Sequence, residues 1–230
     1  MPGSREPLAK ALFLAAALVA LAVPSLSLSA LRAQDTPADV PALLARFRTV
    51  RGLSAHFREE KTIALLEEPL VSEGVLFFAP PARLARVVES PTPSSMVLDG
   101  DELRLVDPRG TQRVDLNRVP TVRVFVDAFR AVLAGDDAAL ARSFRTRLRR
   151  NADGSWTLGL SPRAPAVARA IRWIEVTGRD VRIARLRIIE TSGDEARTTF
   201  SEVDTTRVYS AADARRIFGA RAATGGAPPR

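Results

Sequence analysis

The chain has 230 residues, 46% of them apolar and 26% charged, enough for one large domain or two small ones, and this composition excludes disorder of the whole chain. It contains no cysteine, which excludes disulfide staples, thiolate metal sites and a cysteine nucleophile. The net charge of +8 rests almost wholly on arginine, Lys10 and Lys61 being the only lysines; most of these arginines alternate with apolar residues as on a solvated strand face, and no nucleic acid partner is expected.

The N-terminus places Arg5 and Lys10 ahead of an uncharged apolar run from Ala11 to Val23. That run falls short of the roughly 20 residues that span a hydrocarbon core. Serines and small residues follow and end in Ala30-Leu31-Arg32-Ala33, the layout of a secretory signal peptide over 1–33, cleaved after Ala33 or, as second choice, Ala30. No cysteine follows the run, so the chain cannot itself be acylated at a lipobox.

Asp39 to Val50 carries Val40, Leu43, Leu44, Phe47 and Val50 at steps of three and four, which predicts an amphipathic helix capped by Asp39 and stopped by Gly52. From Leu53 the period drops to two or to short apolar runs. Strands are predicted at Leu53 to Leu65, Leu70 to Ala79, Arg83 to Glu89, Met96 to Asp99, Glu102 to Val106 and Gln112 to Leu116, separated by turn residues such as Pro80-Pro81 and Asp99-Gly100-Asp101. At Pro120 the helical period returns: Val122, Phe125, Val126, Phe129, Val132 and Leu133 form a broad apolar face opposite Arg123, Asp127 and Arg130. Gly135 closes this helix, and Asp136 or Asp137 caps a short one through Arg142. Strands resume at Ser143 to Arg150 and Ser155 to Leu160 around an Asn151-to-Gly154 hairpin turn, then at Ala170 to Thr177, Val181 to Thr191 and Ala196 to Val203. Apolar parity slips between Ile183 and Leu186, which predicts a bulge. Ala211 to Phe218 reads as a last helical turn.

The expected architecture is mainly β with an α lid: one domain over 34–220, a strongly curved antiparallel sheet of about nine to eleven strands forming a half-open β-barrel, two or three helices over it, and a flexible tail at 221–230. Such a sheet leaves an apolar cavity suited to a greasy ligand. Val75-Leu76-Phe77-Phe78 is apolar on both parities and needs cover on both faces or a ligand on one; periodicity does not say which parity faces inward. These four residues, with Val122, Phe125, Val126 and Phe129, are the candidate wall and lid.

Chemistry is sparse. His56 is the single histidine, and the carboxylate pairs Glu59-Glu60, Glu67-Glu68 and Asp136-Asp137 read as solvent-facing charges and caps, since strand neighbours point opposite ways. No catalytic residue, metal site or cofactor is expected, and an enzyme is disfavoured.

The block Ala55-His56-Phe57-Arg58-Glu59, Ser72-Glu73-Gly74-Val75-Leu76-Phe77-Phe78, Pro80-Pro81-Ala82-Arg83-Leu84-Ala85-Arg86, Ser90-Pro91, Met96-Val97-Leu98-Asp99-Gly100 and Asp107-Pro108 resembles the periplasmic lipoprotein carriers of the LolA family. Their pattern is F-x-(Q/E), a Gly-containing strand, a Pro-led strand, a second Pro, a V-x-D-G turn and a strand ending in D-P. The resemblance implies a monomeric periplasmic carrier that takes lipoprotein acyl chains from an inner-membrane transporter and hands them to an outer-membrane acceptor, without a cofactor. It adds Leu84 to the ligand-binding candidates as the retained apolar docking position. Known members latch the lid with an arginine just before the proline that opens the third strand; Pro80 stands there, which leaves Arg83 or Arg86 as latch candidates, and Arg86 falls where members often have tryptophan. The alternatives are a carrier for another amphiphile (a glycolipid, a free acyl chain or an acylated pigment) and a periplasmic sensor or regulator module that binds a partner protein.

Overall fold

The computed structural model describes residues 39–219; the expected signal peptide and the tail at 221–230 lie outside the described residues. One antiparallel sheet of eleven strands organises the molecule, in the order β6-β5-β4-β3-β2-β1-β11-β10-β9-β8-β7. The helix α1 (Asp39–Phe47) leads into β1 (Leu53–Thr62), the middle of the sheet. A meander then runs outward to one edge through β2 (Leu70–Ala79), β3 (Arg83–Ser90), β4 (Ser94–Asp99), β5 (Glu102–Asp107) and β6 (Gly110–Asp115). A 3-10 turn (Leu116–Arg118) and the helices α2 (Pro120–Ala134) and α3 (Asp137–Ser143) carry the chain to the opposite edge. A second meander returns through β7 (Phe144–Arg150), β8 (Ser155–Pro162), the helical turn α4 (Pro165–Ala168), β9 (Ile171–Arg179), β10 (Arg182–Glu190) and β11 (Glu195–Asp204), and α5 (Ala211–Phe218) follows. The edges β6 and β7 do not pair, so the sheet is curved but unclosed.

Alternation decides which side chains face the helices. On β1 and β2 the concave set is Leu53, Ala55, Phe57, Leu76 and Phe78; it joins Leu84, Leu98, Leu103, Leu148, Leu158, Leu160, Ile174, Val176 and Ile188 from other strands in one core with α1 and α2. The opposite parity of β2 is also apolar because the convex face has its own cover. There Phe77 packs with Ala85 and Val97 beneath Ala214, Ile217 and Phe218 of α5. Arg104 clips that helix by donating to the carbonyls of Phe218 and Gly219 at 3.0 and 2.6 Å, and Tyr209 stacks edge-on against Phe218 with ring centroids 5.5 Å apart. The rest of the convex face is ionic, and its best-formed group is Glu195. Arg187 donates to its two oxygens from Nε and Nη2, each at 2.7 Å, and Arg197 donates to one of them.

The strands begin and end within a few residues of expectation, the hairpin turn forms at 151–154, and the ladder between β9 and β10 slips between Ile183 and Arg185, where parity broke. Two elements differ. α4 was not expected, since four residues with proline at their start carry no readable period. The first helix ends at Phe47, and Val50 reaches the core from the following turn.

α2 ends in a left-handed Gly135 with φ 70, where the Asp136 N–H returns to the Ala131 carbonyl at 2.8 Å. A Cβ at 135 would also meet the Leu44 carbonyl of α1 at 2.3 Å, so glycine sets both the end of α2 and its approach to α1. Arg48 locks that junction by donating to the Gly135 carbonyl at 3.0 Å and to Asp137 at 2.9 Å. Gly135→Ala is expected to destabilise by more than about 1 kcal/mol, and by more than Gly100→Ala, whose φ of 58 carries similar strain with nothing within 4 Å; urea unfolding of both checks this. Glu195 yields a pH prediction. Burial pushes its carboxyl up, but the hydrogen bonds and charge of Arg187, aided by Arg197, hold it below its ordinary 4.5. Its contribution is full above that value and is lost as pH falls through the lower folded one. Unfolding midpoints of Glu195→Gln should therefore fall less steeply below about pH 4.5 than those of the parent chain.

Candidate functional site

The candidate site is the concave face and the helix laid over it. Fifteen residues make α2 a rod about 22 Å long, roughly the width of five strands. Pro120 opens it without wasting a donor, and its inward side buries Val126, Ala128, Ala131, Val132 and Leu133, with Val122 and Phe129 partly buried against the same core. Beneath Ala128, Phe129 and Val132 lies a cavity of about 10 Å³, walled by Leu160, Ile174, Val176 and Leu186 of β8, β9 and β10, without a polar atom on its surface. That is room for about one water, so in this arrangement the helix is seated on the sheet.

The structure separates the expected wall residues into two groups. Leu76, Phe78 and Leu84 face the helices and share one core with Val122, Val126 and Phe129. Phe77 does not: it lies on the convex side under α5, and Val75 shares its parity, because neighbours on a strand point to opposite faces. The two-sided run thus combines a concave core and a convex core. Phe125 lies in α2, with a side chain outside the described residues. The actual walls of the cavity, Leu160, Ile174, Val176 and Leu186, escaped sequence reasoning. Their alternation on three late strands was visible, but nothing in it says which distant helix covers them.

The latch candidates also divide. Arg83 is exposed and faces Asp99 at 3.6 Å across the β3–β4 pair, away from the helix. Arg86 turns inward, yet its partners are sheet residues: Nη2 donates to Glu59 at 3.0 Å and to Ser72 at 3.2 Å, and the guanidinium lies over the Phe57 ring, 4.1 Å from its centroid. Glu59 in turn accepts from Thr198 at 3.1 Å. Glu59 is thus no solvent-facing charge, in contrast to the sequence reading; its side chain is 13% exposed and that of Arg86 11%. Burial pushes the Arg86 guanidinium down from its ordinary value, and the Glu59 charge opposes that shift. Gly74 sits between Phe57 and Val88 in the sheet, and a Cβ there would meet the Val87 carbonyl at 1.9 Å, so glycine lets β3 approach β2 where their register shifts.

On its outer side α2 is also held by a different pair of arginines. Arg123 meets Asp101 at 3.1 Å and donates to Asn117 at 2.5 Å, and two turns later Arg130 donates to the Gly100 carbonyl at 3.2 Å. Both thereby grip the Asp99-Gly100-Asp101 turn between β4 and β5, and Asp127 lies between them at 3.3 and 3.6 Å. Among the described residues no group of three or more metal-ligating side chains occurs.

Exposed ion pairs of this kind contribute about 0–1 kcal/mol each. The double variant Arg123→Ala/Arg130→Ala should therefore keep its global unfolding midpoint within about 2 kcal/mol of the parent, while amides of α2 exchange with solvent faster than those of β8 and β9. Hydrogen exchange read residue by residue checks it, and unchanged protection of α2 would count against these arginines as its tether.

Comparison with the curated proteins finds no match. Similar solved structures include a LolA superfamily protein from Nitrosomonas europaea, at 10% identity over 74% of this chain and 94% of that one with a TM-score of 0.43. They also include a putative outer membrane lipoprotein-sorting protein domain from Vibrio parahaemolyticus (10% identity, 76% and 94% covered, TM-score 0.46) and the lipoprotein LppX of Mycobacterium tuberculosis (16%, 74% and 98%, TM-score 0.39). The family described as outer membrane lipoprotein carrier protein LolA-like matches residues 32–224, nearly the whole chain, and the protein belongs to that family.

Proposed function

We propose that the protein is an exported, non-enzymatic carrier that shelters acyl chains of lipoproteins between α2 and the concave face, moving them through the periplasm from an inner-membrane transporter to an outer-membrane acceptor. In this reading residues 1–33 are the cleaved signal peptide, and residues 34–220 act as one monomeric carrier domain. The observation that carries it is the purely apolar seam where Ala128, Phe129 and Val132 meet Leu160, Ile174, Val176 and Leu186, under a helix whose outer side is held by surface ion pairs. Lifting α2 exposes apolar surface on both sides of the seam, at a cost of about 25 cal/mol per Å² that an acyl chain offsets by covering the same area. Transfer is then an exchange between like environments, and it needs no cofactor. The family match supports the carrier class; the same seam would serve another amphiphile, so the cargo is read from what the protein holds.

Native mass spectrometry of protein purified gently from the periplasm, followed by extraction and identification of lipid, tests the proposal. A co-purifying lipoprotein or its acylated fragment is the expected result. Phe129→Glu/Val132→Glu should lose that cargo while retaining the β spectrum of the sheet. Lipid-free protein in a stoichiometric complex with a folded partner would replace the carrier by the regulator reading.

A further inference from the structure

The transverse register of the sheet runs the apolar seam directly into the buried ion pair. Along one row of the ladders Leu158 pairs with Val176, Val176 with Leu186, Leu186 with Thr198, Thr198 with Glu59 and Glu59 with Ser72. All of these share a face, because paired residues point the same way. The first three are cavity wall or core, and the last three are the polar group that holds Arg86. From Leu186 to Glu59 is two strands, about 10 Å. The concave face therefore has an apolar half and a hydrogen-bonding half in one continuous row.

Both Glu59 oxygens are occupied, one by Arg86 and one by Thr198. Arg86 uses only Nη2, for Glu59 and Ser72. Among the described residues no sealed side-chain nitrogen or oxygen is without a partner, so Arg86 Nε and Nη1 are not enclosed and keep donors to offer. The Phe57 ring beneath and the Glu59 carboxylate fix the fork in place. An inward arginine paired in an apolar trough is also a poor device for stability, since a hydrophobic pair of similar volume is often as stable or more so.

We infer that Arg86, held by Glu59, Ser72 and Phe57, is a head-group subsite that donates hydrogen bonds to the carbonyl or carboxyl oxygen at the polar end of an acyl amphiphile whose chain runs along the row toward Leu186 and Val176. This rests on the carrier reading and adds to it an orientation and a ligand chemistry. Glu59 offsets the charge of Arg86 and also lies in the field of Lys61, two residues along the same face; an acyl ester and a free carboxylate offer Arg86 the same oxygens.

Displacement of a fluorescent apolar probe from delipidated protein by hexadecane, methyl palmitate and palmitate separates the cases. The parent protein should prefer the two oxygen-bearing ligands over hexadecane by roughly tenfold or more. Preference for both assigns the subsite to an ester-type carbonyl, and preference for palmitate alone assigns it to a free carboxylate. Arg86→Met/Glu59→Met removes both charges together, so neither is left buried alone, and it should bind hexadecane as before with the preference abolished. In the parent chain the Arg86 Nε–H resonance, assigned with Arg86→Lys, should shift with methyl palmitate or palmitate and stay in place with hexadecane, a readout independent of the double variant's folding. Equal binding of all three ligands by the parent, or an undiminished preference in the double variant, overturns the subsite and leaves the carrier reading standing. No binding of any of them overturns both.

Discussion

An eleven-stranded sheet that curves without closing has two free edges, and its chain must pass from one to the other. Here that passage is the segment from Leu116 to Ser143, which crosses the concave side as α2 and α3. One helix therefore has two duties set by topology: it ties β6 to β7, and it covers apolar side chains that the missing closure would leave wet. Its connection runs between opposite edges, so cover for the concave side is built into the chain path. Beyond its buried inner side, its two polar attachments differ in kind. At its C-terminal end Gly135 brings it against the α1 backbone and Arg48 clamps the junction, whereas its outer side holds the β4–β5 turn only through Arg123 and Arg130. Movement about the Gly135 end is the one that breaks the weaker set.

The middle of the sheet has cover besides that helix. Both parities of β2 are buried, one under α1 and α2 and the other under α5, so the middle of the sheet is packed on two sides and gains rigidity that the lid does not supply. Tyr209 donates to the Leu53 carbonyl at 2.5 Å, and Arg104 holds the end of α5. The sheet is thus held by contacts on both faces, and α2 by its buried inner side together with surface ion pairs.

Much of this was legible in the sequence because it depends on period and punctuation. Alternation set the strands, the 3.6 spacing of Val122, Val126, Phe129 and Leu133 set α2, and the parity slip after Ile183 marked the irregular ladder. Pairing across distance was not legible. Val75 and Phe77 share a run with Leu76 and Phe78, and only the placement of α5 shows that they serve another face. Arg86 and Glu59 lie 27 residues apart and look like ordinary strand charges until the register of β1, β2 and β3 is seen to bring them to one face. The outer contacts of the helix escaped for the same reason: Arg123 and Arg130 occupy the polar side that periodicity assigns to solvent, and the turn they share lies before β5, with β5, β6 and the 3-10 turn between.

The position of the polar group follows from register rather than from any local motif. Shifting β11 by one residue against β1 would exchange Thr198 for a neighbour on the convex face and leave Glu59 with one acceptor site unfilled in a low-dielectric trough, a loss of the order of 1–3 kcal/mol. Shifting β10 against β11 would separate Leu186 from Thr198 and break the passage from apolar wall to polar end. The Glu59 bond to Thr198 and its bond to Arg86 span β11, β1 and β3, so the pair reports correct pairing of the two meanders that meet at β1. A buried charge pair that contributes little net stability thus has a second consequence: it raises the cost of every misregistered sheet above that of the one in which the trough has a single, oriented polar end.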